Sequence, residues 1–157
     1  MADNDQPFWK TKKMSRMTQA EWESLCDGCG KCCLNKLIDT ETQELFFTNV
    51  ACKLLDTGSC QCTRYKDRSK LVKDCVRLTP RNVRKIRWLP DTCAYRLVAE
   101  GKDLYEWHHL RCGDRSAVHR AGISARGRAI SETEAGDLED HIVDWDLPQP
   151  RRRAARR

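Results

Sequence analysis

The chain has 157 residues, 39% hydrophobic and 33% charged, with a formal charge of +6 and a mean hydropathy of −0.73. One domain with a modest core is the expectation at this length, and no stretch approaches the roughly 20 apolar residues of a membrane helix, which excludes a helical span. The charge is uneven: residues 64–87 carry ten basic and two acidic side chains, and residues 151–157 add five arginines. This basic belt and tail lie on a mildly acidic body, a distribution that favours a nucleic-acid partner only weakly.

In chain order, residues 1–16 are polar and expected to form a flexible N-terminal segment. Thr18-Gln19-Ala20-Glu21 is a capping box, and Met17 and Trp22 occupy the two positions of a hydrophobic staple, so a helix over about residues 19–25 follows. Residues 45–50 are rich in strand formers and lead to Cys52. Thr57-Gly58-Ser59 reads as a turn before Cys60. Thr79-Pro80 predicts a helix from Pro80 towards Trp88. Its basic residues Arg81, Arg84, Lys85 and Arg87 are spread around the axis, which argues against a groove-reading helix. Asp91 reads as the N-cap of another helix, with Cys93 in its first turn and Gly101 as its stop. Ser131-Glu132-Thr133-Glu134 predicts a last helix through about Val143. Residues 17–147 then read as a single cysteine-rich metal-binding domain, and residues 148–157 as a disordered Arg-rich tail.

The ten cysteines decide the chemistry. Cys26, Cys29, Cys32 and Cys33 fall within eight residues, followed by Cys52, Cys60, Cys62, Cys75, Cys93 and Cys112. An even count invites disulfides, but disulfides persist in exported proteins. The N-terminus carries Asp3 and Asp5 where an export leader is basic, and it lacks an apolar run of about 7–15 residues. A cytoplasmic setting with reduced, metal-binding thiols is the expectation.

Cys26-x-x-Cys29-Gly30 has the form of a metal knuckle, with glycine permitting the positive φ that turns N–H groups towards sulfur. Cys26-x-x-Cys29-x-x-Cys32 also matches the first three ligands of a bacterial ferredoxin run, although Asn35-Lys36 stands where Cys-Pro would follow. On a continued helix, Cys29, Cys32 and Cys33 would instead share one face. The spacing leaves these geometries open. Thiolate suits both zinc and iron–sulfur clusters, so the metal is zinc or iron. The candidate ligands are Cys26, Cys29, Cys32, Cys33, Cys52, Cys60, Cys62, Cys75 and Cys93. Cys60-Gln61-Cys62 is too tight for a knuckle, so one of the pair is expected to bind and the other to pack or bridge. His108 and His109 are secondary candidates, and Cys112 is the weakest.

The Cys-x-x-Cys-x-x-Cys-Cys run, with Cys52, Cys62-Thr63-Arg64-Tyr65-Lys66-Asp67-Arg68 and Cys75, resembles the zinc- or iron-chelating domain named for that motif. Over roughly residues 7–146 the chain is similar to the bacterial YcgN-type branch of that group. The blocks that carry this are residues 21–30, 47–52 and 88–90, then Cys93-Ala94-Tyr95-Arg96-Leu97 and residues 101–108. The resemblance implies chelation by cysteines and supplies no activity. Ser69 after Arg68, and Cys112, depart from the pattern.

The fold class expected is a small, irregular, metal-stabilised α+β fold, with short helices and one or two short strands around cysteine-bearing loops. Its function is expected to be metal binding, with iron–sulfur redox chemistry or nucleic-acid binding as alternatives. No GxSxG, phosphate-loop or HExxH motif is present.

Overall fold

The capping box at Thr18 forms in the computed structural model, which describes residues 6–73 and 75–145. The Glu21 N–H donates to Thr18 Oγ1 at 3.1 Å, and the Thr18 N–H donates to the Glu21 carboxylate at 2.9 Å. The helix it starts, Gln19–Ser24, buries Trp22. Residues 1–5, Asp74 and 146–157, and with them the predicted Arg-rich tail, lie outside the described residues.

The chain divides into two compact units, each assembled from two separated stretches. The first contains the chain up to Asp27 together with Leu78–Val118. It is built from short helical segments, Phe8–Thr11, Met14–Arg16, Gln19–Ser24, Val83–Lys85, Ala94–Ala99 and His109–Cys112. They surround a core of Met14, Trp22, Leu25, Val83, Leu89, Tyr95, Leu97 and Leu104. Trp22 and Tyr95 pack with ring centroids 4.7 Å apart. Their polar ends are satisfied by backbone, Trp22 Nε1 donating to Leu78 O and the Tyr95 hydroxyl to Trp22 O, both at 2.9 Å.

The second unit contains Gly28–Arg77 and the chain from His119. Strands β1 (Leu34–Ile38) and β2 (Leu45–Ala51) form an antiparallel pair with a register shift between Leu34 and Lys36. The strands β3 (Leu55–Asp56) and β4 (Gln61–Cys62) pair separately as one antiparallel hairpin. β5 (Ile130–Ser131) runs parallel to β2 and β6 (Ile142–Val143) antiparallel to it. Leu34, Ala51, Leu55, Cys60 and Ala125 form the core.

This is the small α+β fold expected, with more strand pairing than the one or two strands read from sequence. Only β2 carries a strong strand pattern, and the other strands are defined by pairing rather than by composition. The turn after Asp56 forms as read, its carboxylate accepting N–H donors from Gly58 and Ser59. Three helix boundaries differ from expectation. The segment after Pro80 contains only a one-turn 3-10 helix, Val83–Lys85, because four like charges crowd a segment with no acidic partner. The next helix spans Ala94–Ala99 with Cys93, not Asp91, at its N-cap, while Asp91 pairs with Arg96 at 3.1 Å. The Ser131 helix ends at Ala135, where Gly136 takes φ 78° and turns the chain towards β6.

Candidate metal centre

Gly30 sets the geometry of the cysteine run. With φ at 76° it turns the chain into a 3-10 segment, Lys31–Cys33, that runs directly into β1. The alternative of a continued helix carrying Cys29, Cys32 and Cys33 on one face is thereby overturned, since residues 26–30 are not helical and Gly30 is left-handed. The conformation is also spatially enforced: a Cβ on Gly30 would collide with the Cys60 sulfur.

Backbone pairing then brings distant cysteines to Cys33. The Cys52 N–H donates to Cys33 O at 2.8 Å, beside the Leu34–Ala51 pair that begins the β1–β2 ladder. Cys52 leads into β3, whose Leu55 pairs with Cys62 of β4. Cys75 follows the Arg68–Leu71 helix in a turn closed by its N–H to Val72 O at 3.2 Å. Cys33, Cys52, Cys62 and Cys75 are all half-buried, and Cys32 is exposed.

Electrostatics link Cys33 and Cys75 to Cys32, Cys52 and Cys62. A side-chain hydrogen bond with Cys32, burial, and the charges of Cys32, Cys52 and Cys62 push the Cys33 thiol far above the usual range. Burial raises Cys75, with Cys32, Cys52 and Cys62 adding to the effect and Arg68 opposing it. Burial also raises Cys52, opposed by the Leu54 N–H, which reaches its sulfur at 3.5 Å. That N–H···S contact, from two residues further along, is the kind that steadies a metal-bound thiolate. Among the described residues, no three His, Cys, Asp or Glu side chains already form a cage for a metal ion.

Side chains other than cysteine tie these segments together. Lys36 Nζ donates to the carbonyls of Leu34 at 2.6 Å and of Lys31 and Cys32 at 3.3 Å. Burial lowers its pKa, while Cys32, Cys33 and Cys29 raise it. It therefore stitches the Cys32–Cys33 turn and supplies positive charge beside it. Lys31 is 3% exposed, with its ammonium 5.6 Å from the Trp145 ring centroid. Arg68 stacks at 3.7 Å over the Tyr65 ring and donates to Tyr65 O at 2.6 Å. Glu132 accepts from Lys53 N at 2.8 Å and from Asn35 Nδ2 at 3.3 Å, tying the start of its helix to the residue after Cys52. A lysine three positions beyond the paired cysteines was the visible signal for Lys36; for Glu132 the sequence showed only helix capping.

The remaining cysteines have the following surroundings. Cys29 is buried, and its carbonyl accepts the Ala125 N–H at 2.8 Å and the Cys60 thiol at 3.2 Å. Cys60, at φ 64°, packs among Leu34, Leu55 and Ala125. Cys26 and Cys93 belong to the first unit, Cys26 exposed after the Gln19–Ser24 helix and Cys93 packed beside the core. Cys112 is exposed, with its sulfur 3.5 Å from Trp107 O. His108 is 1% exposed and has both ring nitrogens engaged: Nε2 with Leu25 O at 2.8 Å, and Nδ1 accepting from Leu110 N at 3.0 Å. Those contacts make it a structural histidine of the first unit.

A family model matches residues 25–94, with the description CxxCxxCC, "Putative zinc- or iron-chelating domain". The UPF0260 protein of Granulibacter bethesdensis is 62% identical over 148 residues, covering 93% of this chain and 89% of the relative. The UPF0260 protein of Rhizobium etli is 60% identical over 146 residues, 92% of each chain. That of Rhizorhabdus wittichii is 62% identical over 143 residues, 91% of this chain and 98% of the relative. No solved structure matches the chain.

Proposed function

The chain belongs to the UPF0260 family, and on that footing we propose that it is a thiolate metal-binding protein whose centre lies in the second unit. Cys33, Cys52, Cys62 and Cys75 are the principal ligands and Cys32 the solvent-facing fifth donor. The observation that carries this reading is the backbone pairing that links these segments, the Cys52 N–H donating to Cys33 O at 2.8 Å and Leu55, three residues after Cys52, pairing with Cys62. Thiols that disfavour one another's ionisation are stabilised by a shared cation, and binding it releases their protons.

The donor set fits the zinc or iron named in the description of the matching domain. All five donors are soft sulfurs, one receives a backbone N–H, and Lys36 and Arg68 offset thiolate charge that a divalent ion would leave uncompensated. Bound zinc would fix the loops structurally; bound iron, alone or with sulfide, would add redox chemistry. Lys36 holds the turn that presents Cys32 and Cys33. Glu132 holds the loop that presents Cys52. Cys60 and Gly30 set the direction from which the run enters β1.

Elemental analysis and an absorption spectrum of anaerobically purified protein test this reading. At least one equivalent of zinc or iron, lost in Cys33→Ser, is the expected result. Iron with acid-labile sulfide and a band near roughly 400 nm would assign a cluster. Protein that purifies without metal and takes up neither ion overturns the proposal.

A further inference from the structure

A second site lies in the first unit, away from the cysteines. Two basic stretches about 70 residues apart in sequence meet around one cavity of about 500 Å³. Lys10, Lys12 and Lys13 line one side, Arg84 the other, and no acidic side chain contributes to the lining. Trp9 and Val98 supply apolar wall.

The cations are held on ordered elements. Lys12 and Lys13 lie between the Phe8–Thr11 helix and the Met14–Arg16 turn, which is anchored by buried Met14. Arg84 lies in the Val83–Lys85 turn, anchored by buried Val83. Lys10 pairs with Asp103 at 3.1 Å and Lys12 with Glu21 at 2.8 Å. Among the described residues, Lys13 and Arg84 take part in no ion pair. Trp9 is fixed by its Nε1 donating to Asp103 at 3.0 Å. Bringing Lys13 and Arg84 to one cavity without a carboxylate in its wall costs repulsion, which a bound anion reverses.

We infer that this cavity binds a small phosphate-bearing ligand with a flat apolar body, a nucleotide in chemical class. Lys13 and Arg84 hold the phosphate, and Trp9 with Val98 receives the ring. Arginine suits the forked oxygens of phosphate and lysine contributes a point charge. The volume lies within the range of small-ligand pockets. The recess is half open to solvent, and its short lining suits one compact ligand, whereas a nucleic-acid strand needs an extended track of charge and stacking.

Calorimetric titration of the full, metal-replete chain with ADP, adenosine, inorganic phosphate and a short thymidine strand tests the assignment. ADP is expected to bind below about 1 mM, and adenosine and phosphate each at least about tenfold more weakly. Lys13→Ala with Arg84→Ala should weaken ADP about tenfold or more, whereas Lys13→Arg with Arg84→Lys keeps it within about threefold. Both residues are exposed, and the conservative pair controls for folding. Absence of ADP binding, equal affinity for phosphate or adenosine alone, or affinity unchanged by the alanine pair overturns the inference. So does tighter binding of the thymidine strand with a steeper salt dependence, which would make this face a nucleic-acid contact.

Discussion

The Cys52 N–H donates to the Cys33 carbonyl at 2.8 Å, joining two cysteines that are 19 residues apart through their backbones. The hydrogen bond survives replacement of either side chain, so a serine at either position removes a sulfur without releasing the loop. Cys33→Ser and Cys52→Ser should each reduce bound metal to less than half the wild-type content, while Cys112→Ser leaves it unchanged. Metal-to-protein ratios after gel filtration give the result, and a full complement in both of the first two variants would refute their assignment.

Lys36 donates to three carbonyls around the Cys32–Cys33 turn and places a cation beside the thiols. Lys36→Met keeps the aliphatic stem and removes both contributions. Metal affinity, measured by competition with a chelator, should fall by roughly 10–100-fold, the range typical of lost outer-shell partners. Lys36→Arg should recover part of it. Equal affinity in Lys36→Met would limit the lysine to packing over Phe47, whose ring centroid lies 5.5 Å away.

Gly30→Ala meets two obstacles, a φ of 76° and the Cys60 sulfur where its Cβ would stand. A loss of about 1–3 kcal/mol is expected from urea denaturation. Combining it with Cys60→Gly removes the collision and leaves only the backbone penalty. The double variant should then lose less than the two single losses together, and simple additivity would argue against the contact.

His109 stacks on His108 with centroids 4.4 Å apart, and the Ser24 backbone opposes the lowering of its pKa. Burial, then His108 and Arg115, lower its pKa to about 4 from 6.5. Burial lowers His108 too, with Arg115 assisting and the Leu25 carbonyl and Asp27 opposing. In the unfolded chain both protonate near about 6.5. The folded state therefore binds fewer protons below that pH, so stability is complete above about 6.5 and declines as pH falls towards about 4. Thermal midpoints measured across this window should drop in wild type and drop less in His109→Phe. Parallel curves would remove His109 from the account. Asp103, held down to about 2 by Trp9, Lys10 and the Leu104 N–H, contributes its loss only in more acidic solution.

What could be read from the sequence was local. The Thr18 cap, the strand ending near Cys52 and the turn at Asp56 each depend on residues within a few positions, and each formed. The helix expected after Pro80 failed because its start signal was local but its charge repulsion was summed over the whole segment. β5 and β6 escaped notice because two-residue strands acquire their identity from β2. The same limit applied at the candidate centre. Counting cysteines identified the thiols, but the pairing that links the segments of Cys33, Cys52 and Cys62, and the burial of Cys29 and Cys60, depended on the tertiary fold. Glu132 depended on a contact across 79 residues.

Each unit is assembled from two stretches, and the second has an order of synthesis built into it. All seven of its cysteines precede residue 76, whereas β5 begins at Ile130 and β6 at Ile142. At about 5–20 residues per second, the ribosome delivers Cys75 roughly 3–11 s before the first residue of β5. For that interval the nascent chain carries its full set of thiols ahead of the strands that complete their sheet. Whatever reacts with those thiols during translation therefore reaches them before the sheet is complete.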